Sequence, residues 1–174
     1  DEDFHDKVDG LELRRKLRLR AYSPDADFAM LEMKQKEGPY QKKRSLRLSR
    51  EDAVRLCQGD YGPLKSYPDP FAGECYDLMA CRCYRPKAIV EYLRQAYLAQ
   101  ENHIRITATE TCFDLFSARL PQFPVMDPFR MVLEVKYNGF LLSYIKDLLH
   151  QVYRPELSIS KYCMARRLTC GTIV

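Results

Sequence analysis

Residues 11–22 read Leu-Glu-Leu-Arg-Arg-Lys-Leu-Arg-Leu-Arg-Ala-Tyr, and apolar and charged side chains alternate along them. Leu11, Leu13, Leu17, Leu19 and Ala21 fall on one side; Glu12, Arg14, Lys16, Arg18, Arg20 and Tyr22 fall on the other. Side chains of an extended strand point alternately to opposite faces, so this segment is a strand with one apolar and one cationic face. Only Arg15 breaks the alternation.

The same design recurs on both sides of the next two turns. After Ser23-Pro24-Asp25-Ala26-Asp27, residues 28–36 set Ala29, Leu31 and Met33 against Glu32, Lys34 and Lys36. Gly38-Pro39 marks a turn, and 40–48 sets Lys43 and Arg47 against Leu46 and Leu48. The three segments read as a meander. Ser49-Arg50-Glu51-Asp52 then has N-cap spacing with acidic residues in the first turn, and Ala53, Val54, Leu56 and Cys57 supply an apolar helical face.

Further along, 58–73 is rich in Gly, Pro, Asp and Tyr and reads as a loop, with a short helix over 74–83 that packs Leu78 and Met79. Residues 86–98 and 103–112 read as a hairpin joined by Gln100-Glu101-Asn102. Val90, Tyr92 and Arg94 share a face of its first strand; His103, Arg105, Thr107 and Thr109 share one of its second. In 129–137, Met131, Leu133 and Val135 oppose Glu134 and Lys136. Helices are expected over 140–152, amphipathic, and 161–170.

The totals bound the answer without deciding it. At 174 residues the chain fits one domain that buries roughly two-thirds of its unfolded surface. It is 46% hydrophobic and 30% charged, with a net charge of only +4, so the placement of charge matters more than its sum. Seven cysteines, an odd number without a framework spacing, suit a reducing cytoplasm. Apolar runs fall short of the ~18–20 residues that span a bilayer. His5, His103 and His150 have no recognisable catalytic partners, and a basic stripe interleaved with exposed aromatics, the mark of nucleic-acid binding, is not evident.

A cationic strand face also suits a solvated outer surface. Two like charges about 4 Å apart at an effective dielectric near 20 repel by ~4 kcal/mol, however, so cationic ladders on adjacent strands are costly unless an anion lies between them. Arg offers planar forks to phosphate oxygens and Lys offers point charge. A lone carboxylate in such a set, such as Glu134, pairs with the cations or holds Mg²⁺ or Mn²⁺ against bound phosphates.

Arg18-Leu19-Arg20-Ala21-Tyr22, Leu31-Glu32-Met33-Lys34, Tyr92-Leu93-Arg94, Ile104-Arg105-Ile106, Leu133-Glu134-Val135-Lys136 and Ser160-Lys161-Tyr162 follow the order and approximate spacing of the VTC (vacuolar transporter chaperone) domain. The chain resembles that domain, of the triphosphate tunnel superfamily, over essentially its whole length. The resemblance implies an α+β fold over residues 1–174 as a single domain: an antiparallel β-barrel with flanking helices, whose interior binds phosphates. It implies that Arg18 and Arg20 are paired tunnel arginines, that Lys34 and Lys43 are tunnel lysines, and that Tyr92 and Arg94 form a tyrosine–arginine pair. Arg105 matches the arginine of the following strand, Glu134 the metal-binding glutamate and Lys161 a C-terminal tunnel lysine. Arg18, Arg20, Lys34 and Lys161 are thus the expected catalytic cations. Tyr92, Arg94, Arg105 and Lys43 are expected to bind phosphate, and the face pattern adds Lys16 and Lys136 to them.

Two departures stand out. Ser158 occupies a place where the family carries a basic residue, and two family strands upstream of the region matching Asp3 to Gly10 are missing from this sequence, which would leave the barrel open on one side. The activity implied is metal-dependent (Mn²⁺ or Mg²⁺) transfer of the γ-phosphoryl group of ATP to a polyphosphate chain. Its rivals are a triphosphate or polyphosphate hydrolase and a non-catalytic sensor of polyphosphate or inositol phosphates. ATP and polyphosphate are the expected partners, with a membrane protein on a separate chain as a further one.

Overall fold

The alternation around Arg18 folds into a meander of β1 (Arg14–Arg20), β2 (Phe28–Glu37) and β3 (Tyr40–Ser49), each antiparallel to the next. This is a computed structural model, and it describes residues 2–99, 104–110, 124–127, 129–152 and 155–169. The chain divides into two units, Asp1–Lys87 and Ala88–Val174, each with its own three-stranded sheet.

In the first unit the apolar sheet face carries the core. Leu31, Met33, Leu46 and Leu48 are buried with Leu56, Leu64, Phe71 and Cys75, and Leu17 and Leu19 pack partly against them. Burying each such side chain contributes about 1.5–3 kcal/mol. The helices on this face are α2 (Arg50–Cys57) and α3 (Pro70–Cys81), with a 3₁₀ turn over Gly62–Ser66 between them. Ser49 caps α2 as expected: its hydroxyl accepts from the Asp52 amide at 3.1 Å, and Asp52 in turn accepts from the Tyr67 hydroxyl at 2.6 Å.

Two readings of this unit are corrected. The strand expected from Leu11 begins at Arg14, and a short helix, α1 (Glu2–Val8), precedes it. Helix α3 begins at Pro70 rather than within 74–83, because Asp69 accepts from the Phe71 amide at 2.9 Å and Pro70 fills the first turn, where a missing N–H costs nothing. Arg15, which broke the alternation, lies on the core side with Gln35, Lys42 and Arg44. The charges of Arg15 and Lys42 act on Glu74 of α3, and Arg44 forms an ion pair with Glu74 and stacks over Phe71 at 4.8 Å. The charged end of this face thus meets a carboxylate rather than the core.

The second unit contains β4 (Leu93–Ala99), β5 (Ile104–Glu110), β6 (Met131–Lys136), α4 (Ser143–His150) and α5 (Lys161–Thr169). The strands are antiparallel in the order β4-β5-β6. Strand β4 starts seven residues later than the 86–98 reading, so Val90 and Tyr92 precede it; residues 86–92 do not join the ladder. The joining segment Gln100-Glu101-Asn102 and His103 lie outside the described residues. Leu133, on the apolar side of β6, is 40% exposed, and Met131 on the same side is more so. The α+β class holds, but the two sheets are separate three-stranded ladders and neither is closed into a barrel. Among the described residues β1 pairs with β2 alone. No helix among them is long and apolar enough to cross a membrane.

Candidate phosphate-binding faces

Because β1, β2 and β3 pair in continuous register, the cationic residues of the first sheet line up in rows across it. Arg20, Met30 and Arg47 form one row, Arg18, Glu32 and Ser45 the next, then Lys16, Lys34 and Lys43, then Arg14, Lys36 and Gln41. Directly opposite residues of adjacent strands have Cβ atoms about 4.5–5.5 Å apart. The third row therefore sets three lysines side by side across the full width of the sheet. All five cations read from the sequence in this region, Lys16, Arg18, Arg20, Lys34 and Lys43, share that face.

Glu32 sits on the central strand among them, with its side chain only 5% exposed. Arg18 Nε donates to its Oε2 at 2.6 Å, Arg18 Nη2 lies 2.6 Å from the same oxygen, and Arg20 Nη2 lies 3.6 Å away. Lys43 reaches diagonally from its own row to place Nζ 2.7 Å from Oε1. Burial pushes the carboxyl up, but the hydrogen bonds from Lys43 and Arg18 and the charges of Arg18 and Arg20 outweigh it. They hold Glu32 below the ordinary carboxylate range. Arg18 spends its Nε edge on Glu32, so donors of the outer guanidinium edge are left toward solvent, and the Arg18 side chain is half exposed. Sequence reading placed Glu32 on this face without giving it a role. The signal was present: it is the one acid among the outward positions of β2, with Lys34 and Lys36 following it on that face.

In the second sheet, Arg94, Arg105, Thr107, Glu134 and Lys136 share one face. Arg105 stands directly opposite Lys136, and Glu134 opposite the buried Thr107. Lys136 Nζ lies 3.1 Å from Glu134 Oε1, and the Glu134 side chain is 46% exposed. Partial burial pushes its carboxyl up, while the Lys136 hydrogen bond and the charges of Lys136, Lys161 and Arg94 bring it below the usual range. The Nε of Arg105 is buried with no hydrogen-bond acceptor among the described residues. Such a donor carries the full cost of desolvation unless an acceptor arrives. Lys161, the first residue of α5, places its ammonium 5.0 Å from the Tyr92 ring centroid, and the two line an open crevice with Val132 and Met164.

The expected site residues thus gather into two sets, one on each sheet. Lys16, Arg18, Arg20, Lys34 and Lys43 surround a buried carboxylate in the first unit. Tyr92, Arg94, Arg105, Lys136 and Lys161 accompany an accessible one in the second. Among the described residues no three His, Cys, Asp or Glu side chains cluster as a metal cage. Glu134 suits a different kind of site, since Mg²⁺ commonly binds through one or two carboxylates and completes its shell with substrate phosphates and water.

Comparison with curated proteins gives no match, and comparison with solved structures gives none. The family model described as "VTC domain" matches residues 1–170. With that match over nearly the whole chain and cations facing together in each sheet, the chain belongs to the VTC domain family, which is associated with polyphosphate polymerase activity.

Proposed function

We propose that this chain binds ATP and polyphosphate on its cationic sheet faces and transfers the γ-phosphoryl group of ATP to a polyphosphate end. The row of Lys16, Lys34 and Lys43 carries this reading. Three lysines at directly opposed positions concentrate positive charge on one line of the sheet, and a polyanion lying along it would gain charge-assisted hydrogen bonds. The orphaned Arg105 Nε beside Lys136 makes the same demand for an acceptor in the second sheet.

Phosphoryl transfer asks little covalent chemistry of a protein; positioning and charge stabilisation do most of the work. In this reading Arg18, Arg20 and Lys34 of the first unit present donors and charge to phosphate oxygens bound on its sheet, and Lys161 neutralises charge on phosphates bound in the second unit. Lys16, Lys43, Tyr92, Arg94, Arg105 and Lys136 hold the remaining phosphates. Glu134 would hold Mn²⁺ or Mg²⁺, which supplies neutralisation across phosphate oxygens when bound.

Product analysis after incubation with ATP and Mn²⁺ tests the reaction. Polymer supports the polymerase; free phosphate alone identifies a hydrolase, and no turnover with retained binding identifies a sensor. Binding is tested separately by thermal melts: tripolyphosphate should raise Tm because it binds only the folded state, and Arg20→Ala should shrink that rise. Equal rises in both proteins would overturn the assignment of this face.

A further inference from the structure

We propose that Glu32 is a built-in counter-anion that competes with the phosphate ligand, setting how tightly the first sheet holds a polyanion. The inference rests on the phosphate-binding reading of that sheet. It concerns a residue to which neither the sequence pattern nor the family match assigns a role.

The geometry carries it. A carboxylate flanked by three cations, on the middle strand of a cationic face, occupies the place that an anionic ligand would otherwise take. Its two oxygens serve different strands: Oε2 receives Arg18 and lies near Arg20 of β1, and Oε1 receives Lys43 of β3. Lys43 is drawn out of the lysine row to reach it, since its in-register partner is Lys34.

Two consequences follow with opposite signs. Without ligand, Glu32 relieves repulsion among Arg18, Arg20 and Lys43 and stabilises the sheet. With ligand, a phosphate must share or take over the donors that Glu32 already holds, so binding is weaker than the cation count implies. Such a site keeps a long polyanion exchangeable, where uncompensated cations would retain it.

The test is a set of thermal melts on the full chain, wild type and Glu32→Gln, with and without tripolyphosphate at constant ionic strength. Glu32→Gln should melt below wild type without ligand, and its rise on adding tripolyphosphate should exceed that of wild type. Titration should show the variant binding at least about tenfold tighter, the factor of one charge-assisted hydrogen bond. A lower Tm with an unchanged or smaller rise would make Glu32 structural and overturn the proposal. If Glu32→Gln does not fold alone, a cooperative melt regained with tripolyphosphate but not with sodium chloride of equal ionic strength supports it, and no recovery overturns it. Glu32→Asp, with its charge kept on a shorter side chain, should fall between the two proteins in ligand-induced rise. Failure of the wild type to respond to tripolyphosphate would instead refute the phosphate-binding reading itself, separately from the role of Glu32.

Discussion

The two sheets repeat one design with different outcomes. Each is a three-stranded antiparallel ladder with cations and one glutamate on a single face. In the first, the glutamate is on the central strand and buried, with Arg18 and Lys43 bonded to it and Arg20 close by. In the second, Glu134 is on β6, which among the described residues pairs with β5 alone, and it is half exposed; the central place opposite it is taken by Thr107. A central-strand carboxylate is reached by cations from both neighbours, so its charge is taken up within the sheet. A carboxylate on a strand paired on one side keeps oxygens available to solvent. Position in the strand order, not residue type, separates the roles.

The contrast breaks most visibly in turnover. Glu134→Ala should lower metal-dependent turnover by about 10²–10³-fold, the size of losing one preorganised electrostatic group, while leaving the tripolyphosphate-induced rise in Tm close to wild type. Assay of product formation across a Mn²⁺ titration checks it. Retained turnover in Glu134→Ala would remove the distinction drawn between the two carboxylates.

The apolar faces differ as much as the polar ones. Leu31 is fully buried in the first sheet, whereas Leu133 in the second is 40% exposed. Leu31→Ala should cost about 2–5 kcal/mol, through lost burial and the cavity left behind. Leu133→Ala should cost less than about 1 kcal/mol, because a half-exposed side chain has less to lose. Denaturant unfolding of the two variants measures both, and equal losses would show that the two faces are covered alike.

Much of the first sheet was legible because its pattern is a strict alternation: β2 and β3 were read almost to the residue, and Ser49 was legible as a cap. The cationic face followed from the same parity. What escaped depends on neighbours from elsewhere in the chain. Arg15 looked like an error in the pattern until Glu74 of α3 was found near it. The burial of Glu32 is imposed by side chains of β1 and β3, whose register no single strand reveals. The start of α3 was hidden differently: Asp69-Pro70 is a start signal, but it lies in a stretch whose Gly, Pro and Tyr content reads as loop. In the second unit, alternation assigned Arg94, Arg105, Glu134 and Lys136 to faces correctly, but it extended β4 backward to Val90 across residues that do not pair.

Acid titration gives the smallest effect and the cleanest comparison of the two carboxylates. Both are held below the ordinary carboxylate range in the folded chain, so each favours the folded state when ionised. That contribution is fully present above the ordinary value of 4.5 and is lost as the pH falls below it, through the depressed folded value. Stability should therefore decline on the acid side rather than near neutrality. Glu32 is buried and faced by Arg18, Arg20 and Lys43, so Glu32→Gln should flatten the decline. Glu134 is half exposed and screened by solvent, so Glu134→Gln should follow the wild-type profile more closely. Asp52, Asp60 and Glu74 are also depressed and weaken the fold in the same direction, but they are common to all three proteins and cancel in the differences. Denaturant midpoints measured from pH 6 down to about pH 3 test this. A profile flattened more by Glu134→Gln than by Glu32→Gln would mean that exposure does not govern how strongly each carboxylate is coupled to its cations.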